Sequence, residues 1–137
     1  MWIVFAFLSA IFASLTSILA KVGIKGIDST LATAIRTIVV LILAWAMVFI
    51  TNANVGIKDI SIRNWIFLIL SGVATGLSWI FYYKALQMGD VSKVVPIDKM
   101  SVVFTLIFAF IFFHESFSLK SFVGILLLSA GTIVMVL

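Results

Sequence analysis

The sequence predicts an all-α membrane protein with five transmembrane helices. Of its 137 residues, 64% are hydrophobic and 10% are charged, whereas a soluble domain has about 25% charged residues. The charged residues leave five stretches without Asp, Glu, Lys or Arg, at residues 1–20, 37–57, 64–83, 100–113 and 121–137. A helix needs roughly 20 apolar residues to cross a bilayer core. Three stretches are therefore long enough alone, and two need neighbouring residues.

The predicted helices occupy residues 2–21, 30–51, 65–86, 91–113 and 119–137, within one domain covering residues 1–137. They use nearly the whole chain and leave no room for a soluble catalytic domain, an ATPase module or a nucleic-acid-binding domain. The chain has no cysteine and one histidine, so thiolate catalysis is excluded and a metal site or other cofactor is not expected. We therefore expect a membrane protein in contact with the lipid bilayer that is not an enzyme.

The first two helices have distinct local signals. Small residues follow one side of the first helix, which predicts close approach of a neighbouring helix; they are Ala6, Ser9, Ala10, Ala13, Ser14, Ser17 and Ala20. The cluster Asp28-Ser29-Thr30 offers side-chain oxygens that can cap the second helix. Polar residues after this helix predict a turn-rich loop over residues 51–64.

The last three helices contain glycine or proline at positions that affect packing. Gly72 and Gly76 in the third helix, and Gly124 and Gly131 in the fifth, predict notches where another helix packs closely. Pro96 in the fourth helix lacks a backbone N–H and clashes with the preceding turn. It therefore predicts a kink or a broken first turn within the membrane.

The loop charges predict the membrane orientation only weakly. Five spans place the termini on opposite sides, with three Lys or Arg on the N-terminal side (Lys58, Arg63, Lys120) and four on the other (Lys21, Lys25, Lys84, Lys93). Cytoplasmic loops normally carry the excess of these residues, so insertion in both orientations and a fixed orientation with the N-terminus outside stay equally open. Two oppositely inserted copies would form an inverted repeat, as in many secondary transporters. The hypothesis that follows is an antiparallel homodimer.

Arg36 is a candidate binding residue inside the second helix. It lies about 9 Å beyond the start of that helix, where an unpaired guanidinium costs at least a few kcal/mol. It is therefore expected to face the interior of the bundle. Two interpretations stay open: an anchor for a polar or anionic substrate group, and a structural cation that pairs with an acid or extends to the membrane surface.

Asp98 and Lys99 follow Pro96 at membrane depth and are further candidates for substrate binding. Neighbouring positions on a helix diverge by about 100°, which predicts that these two side chains do not neutralise each other. Arg36 is the expected partner of Asp98. A carboxyl group in a membrane cavity can also change protonation, so Asp98 is either a proton-coupling acid or half of a permanent ion pair.

Aromatic residues form a stripe with Thr75 on the third helix. Trp79, Tyr82 and Tyr83 follow Thr75 at helical spacing, and their rings could stack on a flat or cationic solute. Thr75, Trp79 and Tyr82 are therefore predicted substrate contacts. For Tyr83, the alternative interpretation of an interfacial aromatic belt is favoured.

Several segments together resemble the EamA group of the drug/metabolite transporter superfamily, in its short five-span bacterial and archaeal form. They are AKVGIKGIDSTLATAIR at residues 20–36, YYKAL at 82–86, VSKVVPIDKMSVV at 91–103, His114-Glu115, and residues 124–131. The resemblance implies a metabolite transporter that has half of a ten-helix inverted-repeat architecture, in a prokaryotic cytoplasmic membrane. It also implies a cavity lined by the first four helices, with the fifth at the periphery, and assigns Arg36, Trp79, Tyr82 and residues 96–99 to that cavity. Glu115 would be the acid that ends the fourth helix.

The leading hypothesis is a secondary transporter for a small polar or amphipathic metabolite. It would work without ATP, by alternating access, as a homodimer, and nucleic acid is not an expected partner because the cations are dispersed along the chain. The alternative is a non-transporting membrane subunit, or a half-transporter that requires a different partner protein. In the subunit alternative, the deep charges form structural ion pairs only.

Overall fold

The computed structural model describes residues 1–114, 116 and 118–137. Its α-helices are α1 (Trp2–Gly23), α2 (Ser29–Ile50), α3 (Ile62–Met88), α4 (Val91–Lys99), α5 (Ser101–Phe113) and α6 (Leu119–Val136). All regular elements in the described part of the chain are helical. Five helical stretches are long and apolar enough to cross a membrane, with α4 and α5 together making the fourth. The all-α class and the five spans are thus confirmed, and five spans are half the number in a ten-helix transporter.

Both connections around α2 are ordered by local hydrogen bonds. Asp28 Oδ1 accepts hydrogen bonds from the backbone N–H groups of Thr30 (2.9 Å) and Leu31 (3.1 Å), which confirms the predicted cap. These bonds, that of Leu31 first, hold the pKa of the Asp28 carboxyl below its usual value. The loop after α2 is more regular than predicted, because a 3₁₀-helix occupies Ala53–Asp59.

The fourth span is interrupted, as Pro96 predicts, but the break lies at Met100 rather than in the first turn. The N–H of Met100 donates to the carbonyl of Ile97 at 2.9 Å, and the N–H of Val103 donates to the carbonyl of Met100 at 2.9 Å. These three-residue bonds tighten the backbone between α4 and α5. A tightened turn at Met100, where the backbone keeps right-handed helical angles, therefore joins α4 to α5 within one membrane span.

The chain divides into two compact units. Unit 1 contains residues 1–18 and 88–137, and unit 2 contains residues 19–87. Within unit 1, α4 packs against α6, and the hydroxyl of Thr132 donates to the carbonyl of Pro96 at 3.4 Å. Within unit 2, α2 packs against the 3₁₀-helix.

Most apolar side chains are exposed on the surface of the protein. The accessible surface is 10829 Å², whereas a soluble monomer of 15.0 kDa exposes about 7,000 Å². The buried apolar residues of the described chain are Ala20, Ile24, Tyr83 and Leu86. Soluble monomeric proteins rarely expose so large an apolar area to water. This surface requires lipid or another protein chain to cover it.

Candidate functional site

A cavity of about 520 Å³ lies within unit 1, in the membrane-spanning part of the chain. Its walls come from α1, α4 and the end of α6; they consist of Ala6, Ser9, Ala10, Ala13, Ser14, Ser17, Ile18, Val91, Ser92, Val95, Pro96, Lys99 and Met135. The α1 wall extends about 18 Å along the helix axis, from Ala6 to Ile18. A cavity of this volume can hold a small organic molecule.

The small residues of α1 line this cavity. The sequence predicts close helix packing along this side of α1; of its seven small residues, all but Ala20 lie in the wall that faces α4 across the open space. A row of small side chains can either allow a neighbouring helix to pack closely or leave a cavity between the two helices. The sequence pattern is the same in both cases. The packing interpretation stays a prediction: Ser17 and Ala20 are buried, whereas Ala6 to Ser14 are exposed. The sequence pattern did not mark these residues as site candidates.

Lys99 is the charged residue among the described cavity-lining residues. Its Nζ lies 3.3 Å from Oδ2 of Asp98, and the two side chains are 52% and 35% exposed. The prediction that these neighbours do not neutralise each other is wrong, because the long lysine side chain folds back over one residue. A predicted pair of Asp98 with Arg36 would join the two units and stays a prediction.

Proline and the fifth span also contribute to the cavity. Pro96 lies in its wall and cannot donate a backbone hydrogen bond to the carbonyl of Ser92, another lining residue. Met135 brings α6 to the same cavity. The peripheral position that the resemblance implies for the fifth span stays a prediction, because Met135 in its last turn is the α6 residue of the described cavity wall.

Unit 2 contains an aromatic site for Arg36. The guanidinium carbon lies 3.5 Å from the centroid of the Trp79 ring and 5.7 Å from that of Tyr83, within the range of cation–π attraction. The atom Nη1 is buried and has no hydrogen-bond partner among the described residues. Aromatic faces thus stabilise a guanidinium at membrane depth while one of its donors stays unused.

The remaining aromatic-stripe residues have different environments. Tyr83 is 4% exposed, so the interpretation of this residue as part of a lipid-facing belt is wrong. Tyr82 is half-buried, with its ring 6.3 Å from that of Tyr83. Thr75 is exposed, and its hydroxyl donates to the carbonyl of Ser71 at 2.9 Å. Substrate contact by Thr75, Trp79 and Tyr82 stays a prediction.

Two side chains that sequence analysis did not select hold the end of α3 in unit 2. The ammonium of Lys21 donates to the carbonyl of Leu86, and Nε2 of Gln87 donates to the carbonyl of Ile27 at 2.7 Å. Leu86 is fully buried. The lysine therefore satisfies a carbonyl in the last turn of a helix, where backbone acceptors lack partners.

The predicted glycine notches are open within this chain. A Cβ added at Gly72, Gly76, Gly124 or Gly131 would meet no atom within 4 Å outside its own local helix. Their role in helix packing stays a prediction that concerns another chain. Glu115, which the resemblance selects as the acid ending the fourth span, lies outside the described residues.

Comparisons with known proteins agree on one class. The whole chain, residues 1–137, matches the EamA-like transporter family. A Sinorhizobium protein described as an uncharacterized transporter in the cobO 3' region is 42% identical over 134 residues, which cover 98% of this chain and 95% of that protein. No solved structure matches the chain.

Proposed function

The chain belongs to the EamA-like transporter family, and we propose that it is a secondary carrier that moves a small polar or amphipathic metabolite by alternating access. The family assignment confirms the resemblance found in the sequence and gives the chain a transporter role. Its five apolar helices make it an integral, multi-pass membrane protein. The cytoplasmic membrane of a prokaryote is the proposed location.

The cavity beside the proline of the fourth span is the observation that carries this proposal. Transporters bind substrates where membrane helices are discontinuous and backbone groups are freed. Here the 520 Å³ cavity includes Pro96, which cannot donate to the carbonyl of Ser92, and the cavity-lining Lys99 directly precedes the tightened turn at Met100. Both features support a solute site within the membrane rather than a purely structural helix bundle.

An antiparallel homodimer is the proposed working unit. Three features support it: the large exposed apolar surface, the open notches at Gly72 and Gly76, and a span number that is half of ten. Because the chain has no cysteine, a cysteine introduced at Asn54 gives a unique label for the loop after α2. An impermeant maleimide applied to intact cells should label about half of the molecules. Complete labelling or complete protection would contradict dual insertion.

Asp98 is the proposed proton-coupling residue. Its carboxylate is 35% exposed and paired with a lysine that lines the cavity, so a solute that engages Lys99 also changes the surroundings of the carboxylate. Asp98→Asn should abolish the pH dependence of transport while solute binding is retained. The matched variant Asp90→Asn, at the start of α4, should keep the wild-type pH profile. An unchanged profile in Asp98→Asn would remove this residue as the coupling acid.

Gradient-driven flux tests the carrier function itself. Purified protein in liposomes would be supplied with a broad metabolite panel under an imposed proton gradient, a membrane potential or a solute gradient, without ATP. We expect uptake of at least one solute, which Ala13→Leu in the cavity wall reduces and Ala130→Leu, outside the wall, does not. Absence of flux for every solute would favour the alternative of a non-transporting subunit or a half-transporter with a different partner.

A further inference from the structure

We infer that the unit 1 cavity binds a small monoanion with a short aliphatic body, with its anionic group at Lys99. The inference rests on the proposed function, because it specifies the class of solute that the carrier accepts. It follows from three properties of the cavity: the sign of its charge, the donors it leaves unused and the chemistry of its walls.

Of the Lys99–Asp98 ion pair, the cationic end lines the cavity. Lys99 is the charged side chain among its described lining residues, and the acid beside it, Asp98, is not part of the wall. The six α-helices contain seven Lys or Arg residues and one acidic residue. At the wall, a cationic solute would therefore contact the ammonium of Lys99, a like charge, whereas an anion would contact an opposite charge in place of, or beside, the Asp98 carboxylate.

Lys99 keeps donors for a ligand although it is paired. An ammonium has three N–H donors, and one hydrogen bond to Asp98 accounts for one of them. That bond, at 3.3 Å, is longer than the 2.7–2.9 Å typical of strong charge-assisted bonds. In addition, the hydroxyls of Ser9 and Ser14 have no hydrogen-bond partner in the described part of the chain and line the same cavity. A carboxylate therefore finds both a cation and neutral donors.

The remaining walls select an aliphatic body. Ala10 and Ala13 on α1, Val91 and Val95 on α4, and Met135 on α6 present methyl and methylene groups and a thioether. None of the described lining residues is aromatic, so stacking on a flat ring is not offered here. A compact branched alkyl group buries its surface against these side chains. Lys99 is the single cation of the described wall and matches a solute with one negative charge rather than two.

Equilibrium binding to the protein in nanodiscs tests this inference. The probes are 4-methylpentanoate, 4-methylpentanamide and 4-methylpentylammonium, which share an alkyl body and differ in charge; empty nanodiscs correct for partition into lipid. We expect the carboxylate to bind at least about tenfold more tightly than the amide, since a hydrogen-bonded charge pair contributes an effect of this size, and the ammonium to bind most weakly.

Two cavity-wall variants, each with a matched control, localise the binding. Lys99→Gln should weaken carboxylate binding at least about tenfold and leave amide binding unchanged, whereas Lys93→Gln, on the same helix but outside the wall, should change neither. Ala13→Leu should weaken the carboxylate and the amide alike, and Ala130→Leu should weaken neither. If Lys99→Gln fails to fold, Lys99→Arg retains the positive charge and should retain the preference for the carboxylate.

Several results would overturn the inference. Equal binding of the three probes, no carboxylate binding to the wild-type protein, or loss of the carboxylate preference in folded Lys99→Arg would each refute the anion site. Carboxylate binding unaffected by Ala13→Leu would refute its location. Gradient-driven flux of cationic or neutral solutes alone would refute the inference while the carrier function stands. Carboxylate binding without any flux would support the anion site and would count against the carrier function.

Discussion

Replacing Trp79 with leucine removes the aromatic face on which the Arg36 guanidinium lies. The guanidinium carbon is 3.5 Å from the ring centroid, well inside the limit of about 6 Å for cation–π attraction. One of its donor atoms is buried without a hydrogen bond. The ring is therefore the main stabilising contact that the described structure gives this membrane-embedded charge.

A double-mutant cycle isolates the size of this interaction. Cation–π contacts contribute about 0.5–1 kcal/mol when exposed and about 2 kcal/mol when desolvated. Arg36 and Trp79 are both half-buried, so we expect a coupling free energy of about 1–2 kcal/mol between Trp79→Leu and Arg36→Met. The cycle cancels the apolar area lost with the indole, because that loss occurs in both backgrounds.

The free energy of unfolding in bicelles, followed by circular dichroism during SDS titration, measures the coupling. A matched control is present on α3, where Arg63 lies 5.9 Å from the ring centroid of Phe67 with both side chains exposed. The cycle of Arg63→Met with Phe67→Leu should give about 0.5 kcal/mol or less. A coupling for Arg36 and Trp79 no larger than this control would refute the stacking account.

Three further predictions concern local contacts and self-association. Lys21→Met leaves the buried Leu86 carbonyl without its lysine donor and should lower the free energy of unfolding by about 1–3 kcal/mol. Lys25→Met, at an exposed position, should not lower it. Equal effects of the two variants would contradict a stabilising role of the Lys21–Leu86 hydrogen bond. The lowered pKa of Asp28 means that its cap is fully stabilising above the usual carboxyl pKa and is lost as the pH falls through the folded-state pKa. Asp28→Asn, which keeps a capping oxygen, should therefore reduce the acid-induced loss of helix seen by circular dichroism, and an identical acid profile would oppose this. A Cβ at Gly76 would meet no atom of its own chain within 4 Å, so Gly76→Ala should preserve folding. Gly76→Leu should reduce the dimer fraction in detergent crosslinking, while Ala74→Leu should not; an unchanged dimer would exclude the notch as the contact.

The fold was predictable because a membrane span depends on local composition. Charge-free stretches marked all five spans, and the Asp28 cap follows from its own neighbours in sequence. The ends of the helices were less accurate: α3 begins at Ile62 and ends at Met88, beyond the predicted bounds 65–86. Polar residues can continue a helix past the apolar core, and hydropathy does not register this.

The site was predictable only as separate residues. Arg36, Trp79 and Lys99 were selected because charged or aromatic groups at membrane depth are unusual. The stacking of Arg36 on Trp79 depends on the rotation of α2 against α3, which no local pattern specifies. The α1 wall of the cavity was missed for a related reason: small residues such as Ala13 permit both a close contact and a void, and only the position of α4 decides between them.

In the proposed carrier, solute passes through the cavity between α1 and α4. The most direct test is flux of one transported solute into liposomes containing wild-type protein, Ala13→Leu or Ala130→Leu, each at equal density and with matched thermal stability. We predict that Ala13→Leu loses most of the flux and that Ala130→Leu keeps it. Equal flux through wild-type protein and stably folded Ala13→Leu would contradict the claim.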